Sequence, residues 1–230
     1  MKIVFNTGSG ISKESGIPTF RGESDSMWNN VDVDIVASTK GLHNNFEELL
    51  HFHNELRNLM NKCEPNDCHK FIADLEKDHD VTVVTSNIDE LHEKAGSSKV
   101  IHVHGNIFEA CDMNREESYW YNQDIKIGDT HPVTGIQLRP NTVLFGEMLS
   151  ADCYSINHNI VEKADILIII GTSLSVFPSS EIMYYNKNIV YLDPNAKDIL
   201  GKGWKLINKT ACQGIDDLKQ LIYDKSNGNT

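Results

Sequence analysis

The sequence predicts an α/β fold, a doubly wound parallel sheet carrying a small inserted module, and three observations lead there. Short apolar runs alternate with amphipathic stretches along the 230-residue chain. The run Ile166-Leu167-Ile168-Ile169-Ile170 is apolar throughout, as a parallel strand covered on both faces requires. Small-residue loops follow two of the runs, at Thr7–Ser12 and Gly171–Val176, where sheets of this kind collect ligands.

Lys2–Phe5 opens the sheet, and Val81–Thr85, Lys99–Val103, Thr142–Phe145, Asp165–Ile170 and Asn188–Leu192 read as further strands. Phe46, Leu49, Leu50, His53, Leu56, Arg57 and Met60 recur at helical spacing, so 46–60 is predicted helical. Cys68–Lys77 and Ala151–Lys163 read the same way. Two regions break the alternation. Residues 108–137 are polar and aromatic, with Tyr119, Trp120 and Tyr121 adjacent, and form the predicted inserted module. A second insertion, about 23–60, starts with a polar, irregular stretch to Thr39. The chain is read as one domain, 1–230, with a tail that frays after Tyr223.

Composition narrows the functional classes. Hydrophobic residues at 40% and charged residues at 23% are ordinary for a globular protein. The net charge of −12 argues against a nucleic-acid partner, which needs clustered Lys and Arg. An acidic balance serves solubility first and is compatible with a basic, lysine-rich peptide. Cys63, Cys68, Cys111, Cys153 and Cys212 include no CxxC pair, so a reducing compartment is expected rather than a disulfide framework. The opening run Met1-Lys2-Ile3-Val4-Phe5-Asn6 is too short for a signal peptide or a membrane span, and a cytoplasmic location is expected.

Five segments carry chemistry. Thr7-Gly8-Ser9-Gly10-Ile11-Ser12 follows the first strand, where glycines let backbone approach a pyrophosphate. It continues into Pro18-Thr19-Phe20-Arg21, which offers a dinucleotide an aromatic wall and a cation. Thr85-Ser86-Asn87-Ile88-Asp89 ends a strand; Asn87 and Asp89 there either bind an amide or ribose, or simply cap the next helix. In Ile101-His102-Val103-His104-Gly105, alternation places both histidines on one face. No third metal ligand is obvious, and a His near neutrality at a strand end suits a general base. Arg139-Pro140-Asn141-Thr142-Val143-Leu144-Phe145-Gly146-Glu147 and Gly171-Thr172-Ser173 complete the set, each a plain loop if taken alone.

Taken in this order and followed by Asp193-Pro194-Asn195, the segments resemble the sirtuin family over nearly the whole chain. The resemblance implies a Rossmann-like fold and an NAD-dependent protein lysine deacylase acting on acyl-lysine proteins or peptides. It implies that Gly8, Ser9, Gly10 and Ile11 hold the pyrophosphate, and that Thr19, Phe20 and Arg21 line the nicotinamide side. Ser86, Asn87, Ile88 and Asp89 would orient the nicotinamide and its ribose, and Gly171, Thr172, Ser173 and Asn195 the phosphates and adenosine. Val143, Phe145, Gly146 and Glu147 would pair with the substrate backbone. His104 would be the catalytic base, with Asn87 and Asp89 beside it. An NAD glycohydrolase or ADP-ribosyltransferase using the same cleft is the alternative.

The chain departs from the family pattern in four places. The family carries four zinc cysteines in its small module, whereas only Cys111 lies between His104 and Arg139 here, so no metal is expected. Ser86 and Ser9 stand where the family has Gln and Ala. The first strand begins the sequence, without the leading helix of many relatives. Members that prefer succinyl groups share a Tyr-x-x-Arg pair, and here His53 and Leu56 take those positions. Arg57 follows one residue later, which turns it about 100° around the helix and predicts a preference for uncharged acyl groups.

Overall fold

The computed structural model describes residues 1–20, 31–115 and 117–228. Its strands are β1 (Lys2–Thr7), β2 (Asp80–Thr85), β3 (Val100–His102), β4 (Gly105–Asp112), β5 (Ser118–Trp120), β6 (Leu138–Thr142), β7 (Ile166–Ile170), β8 (Ile189–Leu192) and β9 (Lys205–Ile207). Six of them form a sheet in the order β3-β2-β1-β7-β8-β9, parallel at every pairing. The order reverses between β1 and β7, the crevice where ligands bind in open α/β sheets.

The strands are apolar because both faces are covered. Along β7, Ile166, Ile168 and Ile170 join one core cluster with Ile3, Phe5, Val81 and Val83. Leu167 and Ile169 join the opposite cluster with Val4, Val84 and Tyr191. A two-residue period therefore buries every position on one layer or the other.

The helices are α1 (Ser9–Ser12), α2 (Val33–Val36), α3 (Thr39–Asn44), α4 (Phe46–Met60), α5 (Asp67–Asp74), α6 (Leu91–Ala95), α7 (Ala151–Ile156), α8 (Ser179–Ile182) and α9 (Ile215–Ser226). A 3-10 turn extends α5 to Lys77, and a π turn extends α7 to Val161. Asn66 starts α5 by accepting the Cys68 and His69 N–H groups at 3.0 and 3.3 Å. Residues 33–60 are largely helical, with Asp32 and Ser38 capping α2 and α3. None of the helices in the described residues is long and apolar enough to cross a membrane.

Two expectations are corrected. The strand read at Thr142–Phe145 lies earlier, as β6, paired antiparallel with β4 in a three-stranded sheet ordered β5-β4-β6. Arg139 and Asn141 make β6 look like a loop, yet both side chains are bonded within the protein. The chain also does not fray at Tyr223. It stays helical to Ser226, whose Oγ donates to the Ile222 carbonyl at 2.8 Å.

Four histidines are buried: His53, His69, His92 and His131. His69 and His92 meet edge to face between α5 and α6, ring centroids 4.8 Å apart, and a ring nitrogen of His92 lies 3.0 Å from Thr7 Oγ1. His53 on α4 bonds the Leu49 carbonyl and Thr142 Oγ1 at 2.9 and 3.1 Å. Burial pushes His53 and His69 down to about 4, and His92 well below its ordinary value.

Candidate active site

The loops leaving β1 and β7 interlock. Gly8 N–H donates to Ile170 O at 3.0 Å, and Gly10 N–H to Gly171 O at 2.9 Å. A Cβ on Gly10 would stand 2.6 Å from Gly171 Cα, and one on Gly8 2.7 Å from Gly171 O. Gly171 itself has φ +60° and faces Ile11 N. These glycines are therefore required first by each other, and only then by a ligand.

Above the loops opens a cavity of about 1010 Å³. Gly8, Ser9, Gly10, Thr19, Phe20, Ser86, Asn87, Ile88, Asp89, His104, Val143, Phe145, Gly146, Glu147, Gly171, Thr172, Ser173 and Asn195 all line it. Ile11 does not. Its side chain is in the core, its N–H is bonded to Gly8 O and its carbonyl accepts from Asn66. Arg21 lies outside the described residues.

At the ends of β2 and β3 the polar groups form one network. Asn87 Nδ2 donates to Gly8 O at 3.2 Å and to Ser12 Oγ at 3.1 Å. Ser12 Oγ donates to Asp89 Oδ2 at 3.0 Å, while Asp89 Oδ1 accepts the Leu91 N–H at 3.1 Å. Asp89 lines the cavity and holds the turn into α6, whose N-cap is Glu90 and not Asn87 or Asp89. Burial raises its carboxyl pKa against these two hydrogen bonds. Ser12 was not singled out by the sequence, because its place one helical turn after Gly8 becomes visible only once α1 is formed.

The two histidines beyond β2 hold the Ser86-Asn87 backbone. His102 bonds the Asn87 carbonyl at 2.9 Å and Glu93 at 2.7 Å. His104 Nδ1 lies 3.2 Å from the Ser86 carbonyl and donates to it. Burial lowers the pKa of His104, with the Ser86 and Phe177 carbonyls opposing, so the ring is neutral near pH 7. Phe177 stacks on Tyr154, centroids 5.3 Å apart, and both line the cavity although neither belongs to a motif.

The 143–147 loop is fixed by bonds to α2–α3, to Arg139 and to Arg115. Phe145 N–H donates to Ala37 O and Thr39 N–H to Phe145 O, both at 2.9 Å. The Glu147 carboxylate takes both terminal nitrogens of fully buried Arg139, the Leu144 N–H at 2.8 Å and Arg115 at 3.4 Å. The Glu147 side chain thus organises the loop whose residues are expected to pair with the substrate backbone. Glu147→Ala strands a buried guanidinium, and a stability loss of about 3–5 kcal/mol is expected in urea melts. A loss near zero would show that Arg139 finds another partner.

His53, Leu56 and Met60 of α4 line the cavity near Thr142, while Arg57 does not. Arg57 instead donates to the Ile107 carbonyl at 2.9 Å, on another face of the helix.

The Sir2 family model matches residues 8–178. A Bacteroides thetaiotaomicron protein named NAD-dependent protein deacylase is 36% identical, covering 96% of this chain and 97% of its own. A Helicobacter pylori protein of the same name is 38% identical, again covering 96% and 97%. Among solved structures, a Sir2 homologue in complex with NAD aligns with TM-score 0.85 and 30% identity over 97% of this chain and 90% of that one. A mutant Sir2 homologue bound to ADP-ribose aligns with TM-score 0.88 and 29% identity, over 98% and 93%. With its glycine loops, its paired strand-end histidines and this match over most of its length, the chain belongs to the Sir2 family.

Proposed function

We infer that the protein is an NAD-dependent protein lysine deacylase, acting on acyl-lysine in a protein or peptide. The observation that carries this reading is the convergence on one cavity of interlocked glycine loops, a neutral His104 and an apolar pocket on α4. The cavity fits NAD: the small-residue loops leave room beside β1 and β7, and polar groups gather at Asn87 and Asp89. When bound, NAD supplies the ribose carbon that accepts the acyl group as nicotinamide departs.

The chain's own residues position and exclude. Gly8 to Gly10 and Gly171 to Ser173 bound the phosphate side, and Asn195 lies further along. Asn87 and Asp89 orient the nicotinamide half, with Ser12 fixing both side chains. His104 Nδ1–H is held by Ser86, with the Phe177 carbonyl also beside the ring, and Nε2 is the nitrogen that would take a proton from a ribose hydroxyl. Gly146 and Glu147 border the substrate strand, and Phe20 packs 6.2 Å from Phe145 across the entrance.

The acyl end is uncharged. His53 is neutral at any pH above about 4, and Leu56 and Met60 add only apolar surface. A carboxylate there has no cation facing it from α4, because Arg57 is spent on Ile107. Acetyl-lysine and succinyl-lysine forms of one peptide, followed by mass spectrometry with and without NAD, test activity and preference together. NAD-dependent release of acetyl at a higher kcat/KM is expected. NAD cleavage without deacylation would overturn the activity, and a faster succinyl peptide would overturn the pocket assignment.

The residues present do not fit the family's structural zinc. Among the described residues no three His, Cys, Asp or Glu side chains cluster as ligands, and the Cys111 thiol is directed at the Pro140 carbonyl. The small module is held by packing of Leu50, Ala110, Ile125 and Leu138 with Tyr119 and Tyr121. Chelators are expected to leave the melting temperature unchanged. One zinc per chain by elemental analysis would contradict this. The five thiols suit a reducing, cytoplasmic setting.

A further inference from the structure

Helix α4 carries two parallel stripes offset by one residue. Leu49, His53, Leu56 and Met60 face the cleft side: the last three line the cavity, and Leu49 packs on Leu144 of the substrate loop. Leu50, Asn54, Arg57 and Asn61 follow the same spacing about 100° away and face the small module. Leu50 packs on Ala110, Ile125 and Leu138. Asn54 behaves as a strand partner for Ile125, accepting its N–H at 3.0 Å and donating to its carbonyl at 2.9 Å. The same Asn54 oxygen accepts from Arg57 at 2.7 Å, and Arg57 donates to the Ile107 carbonyl of β4. Asn58 and Asn61 reach Asp124 and Asn122 at 3.0 and 3.4 Å.

We propose that Asn54 and Arg57 are positioning residues: they clamp segment 121–125 and β4 to α4, so that one rigid helix sets both the small module and the acyl pocket. The module lacks a metal cluster among its described residues, and this polar stripe ties the backbone of Ile125 and β4 to α4, beside the β4–β6 ladder. Ile125 is 1% exposed, so its two backbone groups have no access to water if Asn54 is lost. Ile107, which Arg57 grips, also donates its N–H to the Ile88 carbonyl at 2.9 Å, whereas the Gly8–Gly10 and Gly171–Ser173 loops share no bond with the stripe. The clamp therefore acts on acyl-peptide binding and not on the grip of the glycine loops on ADP-ribose. This inference rests on the deacylase reading, but its exchange measurement does not.

Asn54→Ala and Asn54→Asp separate the outcomes. Aspartate still accepts from Ile125 N–H and Arg57 but loses the donation to the Ile125 carbonyl; alanine keeps nothing. Asn54→Ala is expected to raise the KM for an acetyl-lysine peptide about tenfold, leave the Kd for ADP-ribose unchanged and open the Ile125 amide to hydrogen exchange. Asn54→Asp should restore most of the amide protection and of the KM. An unchanged peptide KM, an amide that stays protected in Asn54→Ala, or an equal loss of ADP-ribose binding would each overturn the proposal. Should Asn54→Ala fail to fold, the Asn58→Ala, Asn61→Ala double variant carries the test, and an unchanged peptide KM there overturns it. A wild-type protein that leaves the peptide untouched would fail the deacylase reading while the exchange result still judged the clamp.

Discussion

His104→Ala is expected to lower deacylation by roughly 10²–10⁴-fold while leaving the fold and ADP-ribose affinity intact. Three features lead there. The ring stands beyond β3 in the cavity, its Nδ1–H is held by the Ser86 carbonyl, and burial keeps it neutral. A base of this kind works while unprotonated. Because burial lowers its pKa, activity should persist below the pH at which an exposed histidine would charge, then fall as the ring takes up a proton. Stopped-flow or mass-spectrometric rates across pH 5–8 for wild type and variant would check both parts. A folded variant with near-normal rate would remove His104 from the base role. His102 is a poor substitute, since both its nitrogens are engaged by Asn87 and Glu93.

Mild acid is expected to destabilise the protein, by roughly 4 kcal/mol between pH 7 and pH 5 from His53 and His69, with His92 adding to the loss. His53 and His69 are held at about 4 and His92 well below its ordinary value by burial, while each charges near 6.5 in the unfolded chain. Above pH 6.5 neither state binds these protons, and stability is unaffected. As pH falls below 6.5 the unfolded chain binds three protons that the folded protein refuses. The slope then approaches about 4 kcal/mol per pH unit, down to about pH 4 where the folded rings begin to charge. Asp89, whose carboxyl is pushed up by burial, offsets part of this at the bottom of the window. Total stabilities of about 5–15 kcal/mol make such a loss decisive. Urea midpoints at pH 5, 6 and 7 measure it, and His69→Gln should remove about a third of the slope. Equal midpoints at pH 5 and 7 would mean that the buried rings accept protons in place.

The parts of the fold legible in the sequence are those with a strict period. β7 is apolar on five successive residues because both its faces are covered, and α4 repeats every helical turn because two of its stripes are buried. β6 was not legible. Its Arg139, Pro140 and Asn141 resemble a turn, and only the bonds of Arg139 to Thr142 and Glu147 explain a buried charge in a strand. In the site, glycines and strand-end histidines are conspicuous because their backbone demands or chemistry are unusual. Ser12, Tyr154 and Phe177 are ordinary residue types that become site residues only through contacts made across the chain. Ile11 went the other way: adjacent to the glycines in sequence, it is turned inward by α1.

The locked glycines also set when the site comes into being. Gly8 and Gly10 meet Gly171 across most of the chain's length, and their contact needs β1 and β7 already paired. Closing so long a loop is a late event in folding, since its entropy must be met before the contact gives anything back. A nascent or partly unfolded chain thus has no half-formed nucleotide pocket. NAD can select only the completed sheet, and at a concentration about a hundred times its Kd it would hold that state by about 2.7 kcal/mol. The coenzyme's cellular level then acts as a folding ligand as well as a reactant, and depletion would shorten the enzyme's lifetime along with its turnover.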